Sequence, residues 1–266
     1  MAVLSFFGGL DWRFDPLDAL AEAQLRESYG AHRTRPDSIA PVVVCRVASR
    51  PALACATALK ADLVVERTGL RVTVRRGDFF GRIDLAAGRV DFEYCGRVPS
   101  LHAFLRVANA LLLAGLDGLL VHASSVLRRG RAFLFPGPSG AGKTTIARLA
   151  DGGGVLSDEV SAVRRVGGRF FCYSTPFFGE YDGVAASAEC APLERVCFPT
   201  KSVRHALEPT TPAEAAQQIV RSVYRHGADA TLAARMFDTG SELAASVRCG
   251  WLEFRPDPAF WSVIDG

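Results

Sequence analysis

Gly137-Pro138-Ser139-Gly140-Ala141-Gly142-Lys143-Thr144 fits G-x-x-x-x-G-K-[ST], and its reading decides how the rest of the chain is understood. Glycines at these places let successive backbone N–H groups turn inward around phosphate oxygens. The lysine then reaches the β- and γ-phosphates, and the hydroxyl of Thr144 ligates Mg²⁺. Such a loop belongs between a buried strand and a helix. Arg131-Ala132-Phe133-Leu134-Phe135-Pro136 supplies the apolar run before it, and Thr145-Ile146-Ala147-Arg148-Leu149-Ala150 continues at helical spacing until Gly152-Gly153-Gly154. Gly137 through Thr145 is therefore the expected ATP-binding segment.

Composition adds weight, because Lys60, Lys143 and Lys201 are the only lysines and every other strong base is arginine. One of the three falls where the motif requires it. A phosphate loop also needs an acid for the metal, and Asp158-Glu159 follows the apolar pair Val155-Leu156 one short connection beyond the loop helix. Thr144, Asp158 and Glu159 are the expected metal-side donors.

The 266 residues carry 31 basic and 28 acidic side chains, a net charge of +3 spread along the chain. No basic block argues for nucleic acid, and Arg33-Thr34-Arg35 and Arg164-Arg165 read as solvated surface. The seven cysteines include no C-x-x-C pair, and their odd number suits reduced, packed thiols better than a secreted disulfide framework. Met1 to Leu10 is apolar but lacks a basic leader and is interrupted by Asp11-Trp12-Arg13. The longest apolar stretch, Ala108 to Val121, is broken by Asp117 and is too short to span a bilayer. The expectation is a soluble, cytoplasmic protein with neither membrane nor nucleic acid as partner.

Residues 1–98 read as a small, mostly β domain, with strands at Val42-Val43-Val44, Leu63-Val64-Val65, Leu70 to Val74 and Val90 to Tyr94, and a helix at Leu17 to Tyr29. Residues 99–266 form the second domain. Pro99-Ser100 opens a helix to about Ala114 with a wide apolar face. Leu119 to Val126 and the strand feeding the loop are joined by Arg128-Arg129-Gly130 and should pair as a hairpin. Strands are expected again at Val155 to Val160, Ala162 to Val166, Phe170 to Tyr173 and Arg195 to Phe198. Thr211-Pro212-Ala213-Glu214 has the form of an N-cap, an N1 proline and a capping acid that start a helix to about Arg225.

Four segments together resemble the HPr kinase/phosphorylase family and its HPr-kinase-like branch: Val121-His122-Ala123-Ser124-Ser125-Val126, Phe135 through Thr145, Leu156-Ser157-Asp158-Glu159-Val160 and Thr175-Pro176-Phe177-Phe178-Gly179-Glu180. Their order is that of the family, over roughly Leu119 to Arg225. The resemblance implies an α/β (α+β) fold, with a strand-rich P-loop core like that of phosphoenolpyruvate carboxykinase rather than a doubly wound parallel sheet. It also implies ATP and Mg²⁺, with a serine hydroxyl as phosphoryl acceptor. By the same resemblance Asp158 matches the general base, and His122 matches the histidine near the phosphates. Glu159 stands where the bifunctional enzymes have a second aspartate, which puts the reverse, dephosphorylating reaction in doubt. Glu180 falls in a turn typical of the family's active centre. The leading domain looks like that of HPr-kinase-like proteins found beside peptide-modification systems, so the acceptor is not copied from HPr.

The leading expectation is thus an ATP-dependent kinase acting on a serine or threonine hydroxyl of a protein or peptide, including a modified-peptide precursor. A small hydroxylated molecule such as free serine is the near alternative. A nucleotide-responsive binding protein without phosphoryl transfer is the alternative of another class. A homo-oligomer stays open.

Overall fold

The structure, a computed structural model, describes residues 1–32, 40–50, 62–150, 154–183, 189–226 and 229–266. Lys60, Cys55 and the Arg33-Thr34-Arg35 cluster lie outside the described residues. The architecture is mixed α/β and strand-rich, with two multi-stranded sheets and six helices among the described residues.

The first sheet contains β1 (Val3–Phe7), β2 (Leu10–Pro16), β3 (Val42–Ser49), β4 (Val64–Thr68), β5 (Arg71–Arg76), β6 (Phe79–Asp84) and β7 (Arg89–Tyr94), in the order β1-β2-β3-β7-β6-β5-β4. β3 runs parallel to both β2 and β7, and the other pairs are antiparallel. α1 (Ala19–Tyr29) follows β2, started by Asp18, whose carboxylate accepts the Ala21 N–H at 2.9 Å.

The second sheet contains β8 (Gly118–Arg128), β9 (Arg131–Pro136), β10 (Gly154–Ser157), β11 (Val160–Val166), β12 (Arg169–Tyr173), β13 (Cys190–Lys201), β14 (Ala206–Pro209) and β15 (Arg248–Phe254). β8 and β9 form the antiparallel hairpin expected at Arg128-Arg129-Gly130. The eleven residues of β8 are shared: Gly118 to His122 pair with β11, and Ala123 to Arg128 pair with β9. β13 is shared in the same way, running antiparallel to β12 and parallel to β9 and β15. The pairings therefore close a circuit β8-β11-β12-β13-β9, and the loop of residues 137–142 leaves from its last strand.

α2 (Val98–Ala114), with proline in its first turn, lies between the two sheets. Its Phe104 ring stacks on Phe92 of the first sheet with centroids 3.9 Å apart, over a site where a Cβ on Gly81 would come within 2.1 Å of that ring. Its other side packs on β8 and on α5 (Ala230–Ser246). One continuous buried core runs from Val3 through α2 into β8 and α5. The β1-β2 tip adds direct contacts. Gly8 N–H donates to Ser174 O at 2.9 Å, Arg164 donates to Gly9 O at 3.2 Å, and the Phe7 ring meets Phe177 edge-on at 5.8 Å. Gly8 and Gly9 have φ of +59° and +75°, the left-handed pair that a two-residue hairpin turn requires.

α4 (Pro212–Ser222) carries the full capping box between Thr211 and Glu214. α3 (Lys143–Arg148) is a helix of only six residues. It is held by a second apolar cluster that contains Ile146 together with Phe135, Phe254, Phe260 and Trp261, the last two from α6 (Phe260–Asp265). No helix among the described residues is long and apolar enough to cross a membrane.

One expectation is corrected: Cys95 is disulfide-bonded, whereas Cys45, Cys172, Cys190, Cys197 and Cys249 are free. An odd cysteine count does not prevent a single bridge, so the count was a poor guide to the state of each thiol.

Candidate functional site

Local sequence forces the loop into shape. β9 is buried from Ala132 to Pro136, and the chain then turns through Gly140 (φ +82°) and Gly142 (φ +101°), backbone conformations that disfavour a Cβ. At Gly142 space is also closed, since a Cβ would stand 2.5 Å from the Phe254 ring. Lys143 is only 7 % exposed, and its ammonium donates to Gly137 O and Pro138 O at 2.9 Å each. Burial pushes its pKa down, opposed by the negative charges of Glu159 and Asp158.

Asp158 and Glu159 form the turn between β10 and β11, a turn that Ser157 Oγ fixes by accepting the Glu159 and Val160 N–H groups at 3.3 and 2.9 Å. The two carboxylates are treated very differently. Asp158 is 1 % exposed, and accepts from Gly179 N–H at 2.8 Å and from Glu180 and Tyr181 N–H at 3.0 Å each. The Thr144 hydroxyl adds a longer contact at 3.4 Å. Glu159 is half-buried, and its carboxylate has no hydrogen-bond or ion-pair partner among the described residues. Arg148 secures the turn from the other side, donating to Glu180 O at 2.8 Å and to Asp182 at 3.2 Å.

These groups surround one cavity of about 320 Å³. Ser139, Gly140, Gly142, Lys143, Thr144 and Thr145 line it from the loop, Asp158 and Glu159 from the β10-β11 turn, Gly179 and Glu180 from the turn above, and His122 from β8. Gly137 and Pro138 instead line a second, neighbouring cavity, and Ala141 lines neither, its N–H donating to Pro138 O at 3.2 Å. His122 is common to both cavities. Its ring is held edge-on to Tyr224 at 6.0 Å. Burial, then the charges of Lys143 and Arg106, hold its pKa below the ordinary histidine value, so the imidazole is neutral at pH 7.

Two residues at the site have no local signal in the sequence. Lys201, at the end of β13, lines the first cavity, so two of the chain's three lysines meet there. Only its rarity as a residue type could have drawn attention to it. Arg106, from α2, lies with its guanidinium carbon 5.5 Å from the Phe177 ring centroid and 5.8 Å from that of Tyr224, behind His122.

The donor set suits phosphate chemistry. Among the described residues no group of three or more His, Cys, Asp or Glu side chains could hold a metal ion by itself. Mg²⁺, however, is ordinarily held by one or two carboxylates together with substrate phosphates and water, and Thr144, Asp158 and Glu159 fit that arrangement. No protein-family model matches the chain, and no curated protein is significantly similar to it.

Proposed function

We propose that the chain is an ATP-dependent kinase of the HPr-kinase-like kind, moving the γ-phosphoryl group to a serine or threonine hydroxyl of a protein or peptide. One observation carries the reading: a lysine-bearing phosphate loop, a buried acid at its Thr144 and a second, unpaired carboxylate all line one cavity. Phosphoryl transfer needs a carboxylate free to take up the hydroxyl proton, and Glu159 is such a group.

Loop amides and Lys143 hold the phosphates of ATP and neutralise charge spread over the γ-phosphoryl oxygens. Mg²⁺, when bound, supplies further neutralisation on the side of Thr144 and Asp158. The acceptor hydroxyl oxygen attacks the γ-phosphorus, the bond from that phosphorus to the β,γ-bridging oxygen breaks, and ADP leaves. The hydroxyl proton passes to a carboxylate. By resemblance that group would be Asp158, but three backbone N–H donors already occupy its oxygens. Glu159 is free to accept it, so we assign the proton to Glu159, and to Asp158 the anchoring of the turn at 179–181 beside Thr144. His122, held neutral, can hydrogen-bond the transferring group without adding charge.

The test is incubation of the protein with Mg²⁺, γ-labelled ATP and serine-containing peptides or an extract, with mass spectrometry of the labelled product. A phosphorylated hydroxyl whose formation needs both Lys143 and Glu159 supports the reading. Slow ATP loss with no labelled acceptor sinks it in favour of a nucleotide-responsive binding protein. We also propose a cytoplasmic setting, where ATP is available.

A further inference from the structure

The second cavity, of about 550 Å³, lies across the start of the phosphate loop from the first. We propose that it is the acceptor subsite and that it takes an acceptor bearing a carboxylate close to the hydroxyl to be phosphorylated; this rests on the kinase reading above.

Position comes first. The Lys143 ammonium is bonded to Gly137 O and Pro138 O, and the lysine of such a loop serves the β- and γ-phosphates. The γ end of a bound nucleotide therefore lies at Gly137 and Pro138, the two loop residues that line the second cavity. Thr145 and Arg148 line only the first cavity, at the opposite end, where the nucleoside leaves. His122 stands at the junction of the two. An acceptor in the second cavity faces the γ-phosphorus from the side away from the nucleoside, as in-line displacement requires.

Charge gives the chemical class. Arg221 and Arg225 line the second cavity, and no aspartate or glutamate does. Both arginines are exposed, and neither has an ion-pair or hydrogen-bond partner among the described residues. Unpaired guanidinium groups beside a binding cavity favour a carboxylate, which they can bind bidentately. Trp251, Phe198 and Tyr224 form the apolar wall.

The cavity is also built rigidly. Just beyond α4, Val223 makes a β-bridge to Val121 and Tyr224 N–H donates to Leu120 O at 2.8 Å, fastening the helix end that carries Arg221 to the strand that carries His122. A preorganised site holds its ligand at lower entropic cost.

A carboxylate beside a hydroxyl can come from free L-serine or from a serine flanked by glutamates in a peptide. The probes are therefore L-serine, a serine peptide flanked by glutamates and the same peptide flanked by lysines, each titrated calorimetrically into protein holding Mg²⁺ and a non-hydrolysable ATP analogue. At least one anionic probe should bind about tenfold tighter than the lysine peptide, and which one does so names the source. The Arg221→Ala/Arg225→Ala double variant, with unchanged thermal midpoint, should lose that preference while its affinity for the ATP analogue stays within about twofold. Equal binding of acidic and basic peptides, or binding by neither anionic probe, overturns the proposal. So does a double variant that loses the ATP analogue but keeps the preference, since the cavity would then hold the nucleoside. Absence of any ATP-analogue binding by the unaltered protein would instead overturn the kinase reading itself.

Discussion

The backbone N–H of Gly179 donates to Asp158 Oδ1 at 2.8 Å, and a Cβ added at Gly179 would stand 3.3 Å from Glu159 Cβ and 3.4 Å from Asp158 Oδ2. The turn above the cavity is thus seated directly on the acidic pair. Asp158 acts as an anchor that three amides converge on, and Glu159 is left facing the cavity. Adjacent carboxylates with such unequal surroundings should respond unequally to the same substitution.

Asp158→Asn should therefore be a structural as well as a functional change. An asparagine keeps one acceptor oxygen but turns an NH₂ group toward amide donors, leaving buried donors unpaired at a cost of about 1–3 kcal/mol. Urea unfolding should show that loss, together with faster proteolysis near residues 179–181. Glu159→Gln should leave stability near that of the parent, while lowering phosphoryl transfer at saturating MgATP by about 10² or more. Full stability in Asp158→Asn with normal transfer in Glu159→Gln would reverse the roles.

Lys143→Ala removes the one full side-chain cation of the loop and leaves Gly137 O and Pro138 O without their donor. Affinity for MgATP should fall by about 10- to 100-fold, the range expected for a charge-assisted hydrogen bond of about 1.5–3 kcal/mol. Calorimetric titration checks it. Unchanged affinity in a folded variant would remove the loop from the site.

Lys201 offers a milder contrast. It is exposed and has no ion-pair partner among the described residues, so on the proposed function its charge should act on the phosphates through solvent and be screened by salt. Lys201→Met should raise the KM for ATP several-fold at low ionic strength, about one step on the scale of exposed charge pairs, and the difference should shrink at high salt. Lys201→Arg should restore most of it. A salt-independent defect would mean that the residue acts by packing.

Stability should depend on pH through buried histidines. Burial lowers His32 to about 4, and burial with Arg106 nearby lowers His226 to about 4, against an ordinary value of 6.5. Both pKa values are depressed, so the unfolded chain binds more protons than the folded one between pH 6.5 and 4. Stability is therefore whole above pH 6.5 and is lost as pH falls through that window, at no more than about 2.7 kcal/mol per pH unit for two protons. His102 and His122 shift in the same direction and add to it. Denaturant midpoints at pH 7.5 and 5.0 check the sign; equal midpoints would contradict burial of these rings.

What the sequence made legible was whatever short-range chemistry decides. Thr211 and Glu214 announced their capping box, Pro99 marked the first turn of α2, and Arg128-Arg129-Gly130 marked the β8-β9 hairpin. The loop was legible for the same reason. The hairpin of β1 and β2 was missed, because Val3 to Phe7 is apolar on both sides of Ser5 without alternation and its burial comes from both the first sheet and Phe177. β6 was missed, β13 proved three times as long as read, and α5, α6, β14 and β15 were not assigned. Lys201, Arg221 and Arg225 reach the site only because β13 lies parallel to β9 and Val223 bridges to β8, neither of which leaves a local trace. The amide cage of Asp158 is likewise tertiary, joining residues more than twenty positions apart.

Gly142 gives the sharpest test of how core and loop are joined. Its φ of +101° is outside the range that side-chain-bearing residues prefer, and its missing Cβ leaves room for the Phe254 ring, which would otherwise lie 2.5 Å away. Phe254 is 2 % exposed and lies in the buried cluster with Ile146 and Phe260, its ring 5.7 Å from that of Phe260, so the surrounding packing opposes its displacement. Gly142→Ala should cost about 1–3 kcal/mol from backbone strain, with a further steric penalty from overpacking of about the same size. The two contributions are separable. Phe254→Leu removes the ring atoms in conflict but not the strain, so the double variant Gly142→Ala/Phe254→Leu should be less destabilised than the sum of the single variants. Its affinity for ATP should nonetheless stay low, because the strained residue still misdirects the amides at the start of α3. Additive losses in stability would show that the Phe254 contact does not constrain the loop, and recovery of full ATP affinity in the double variant would show that its glycine is needed for space alone.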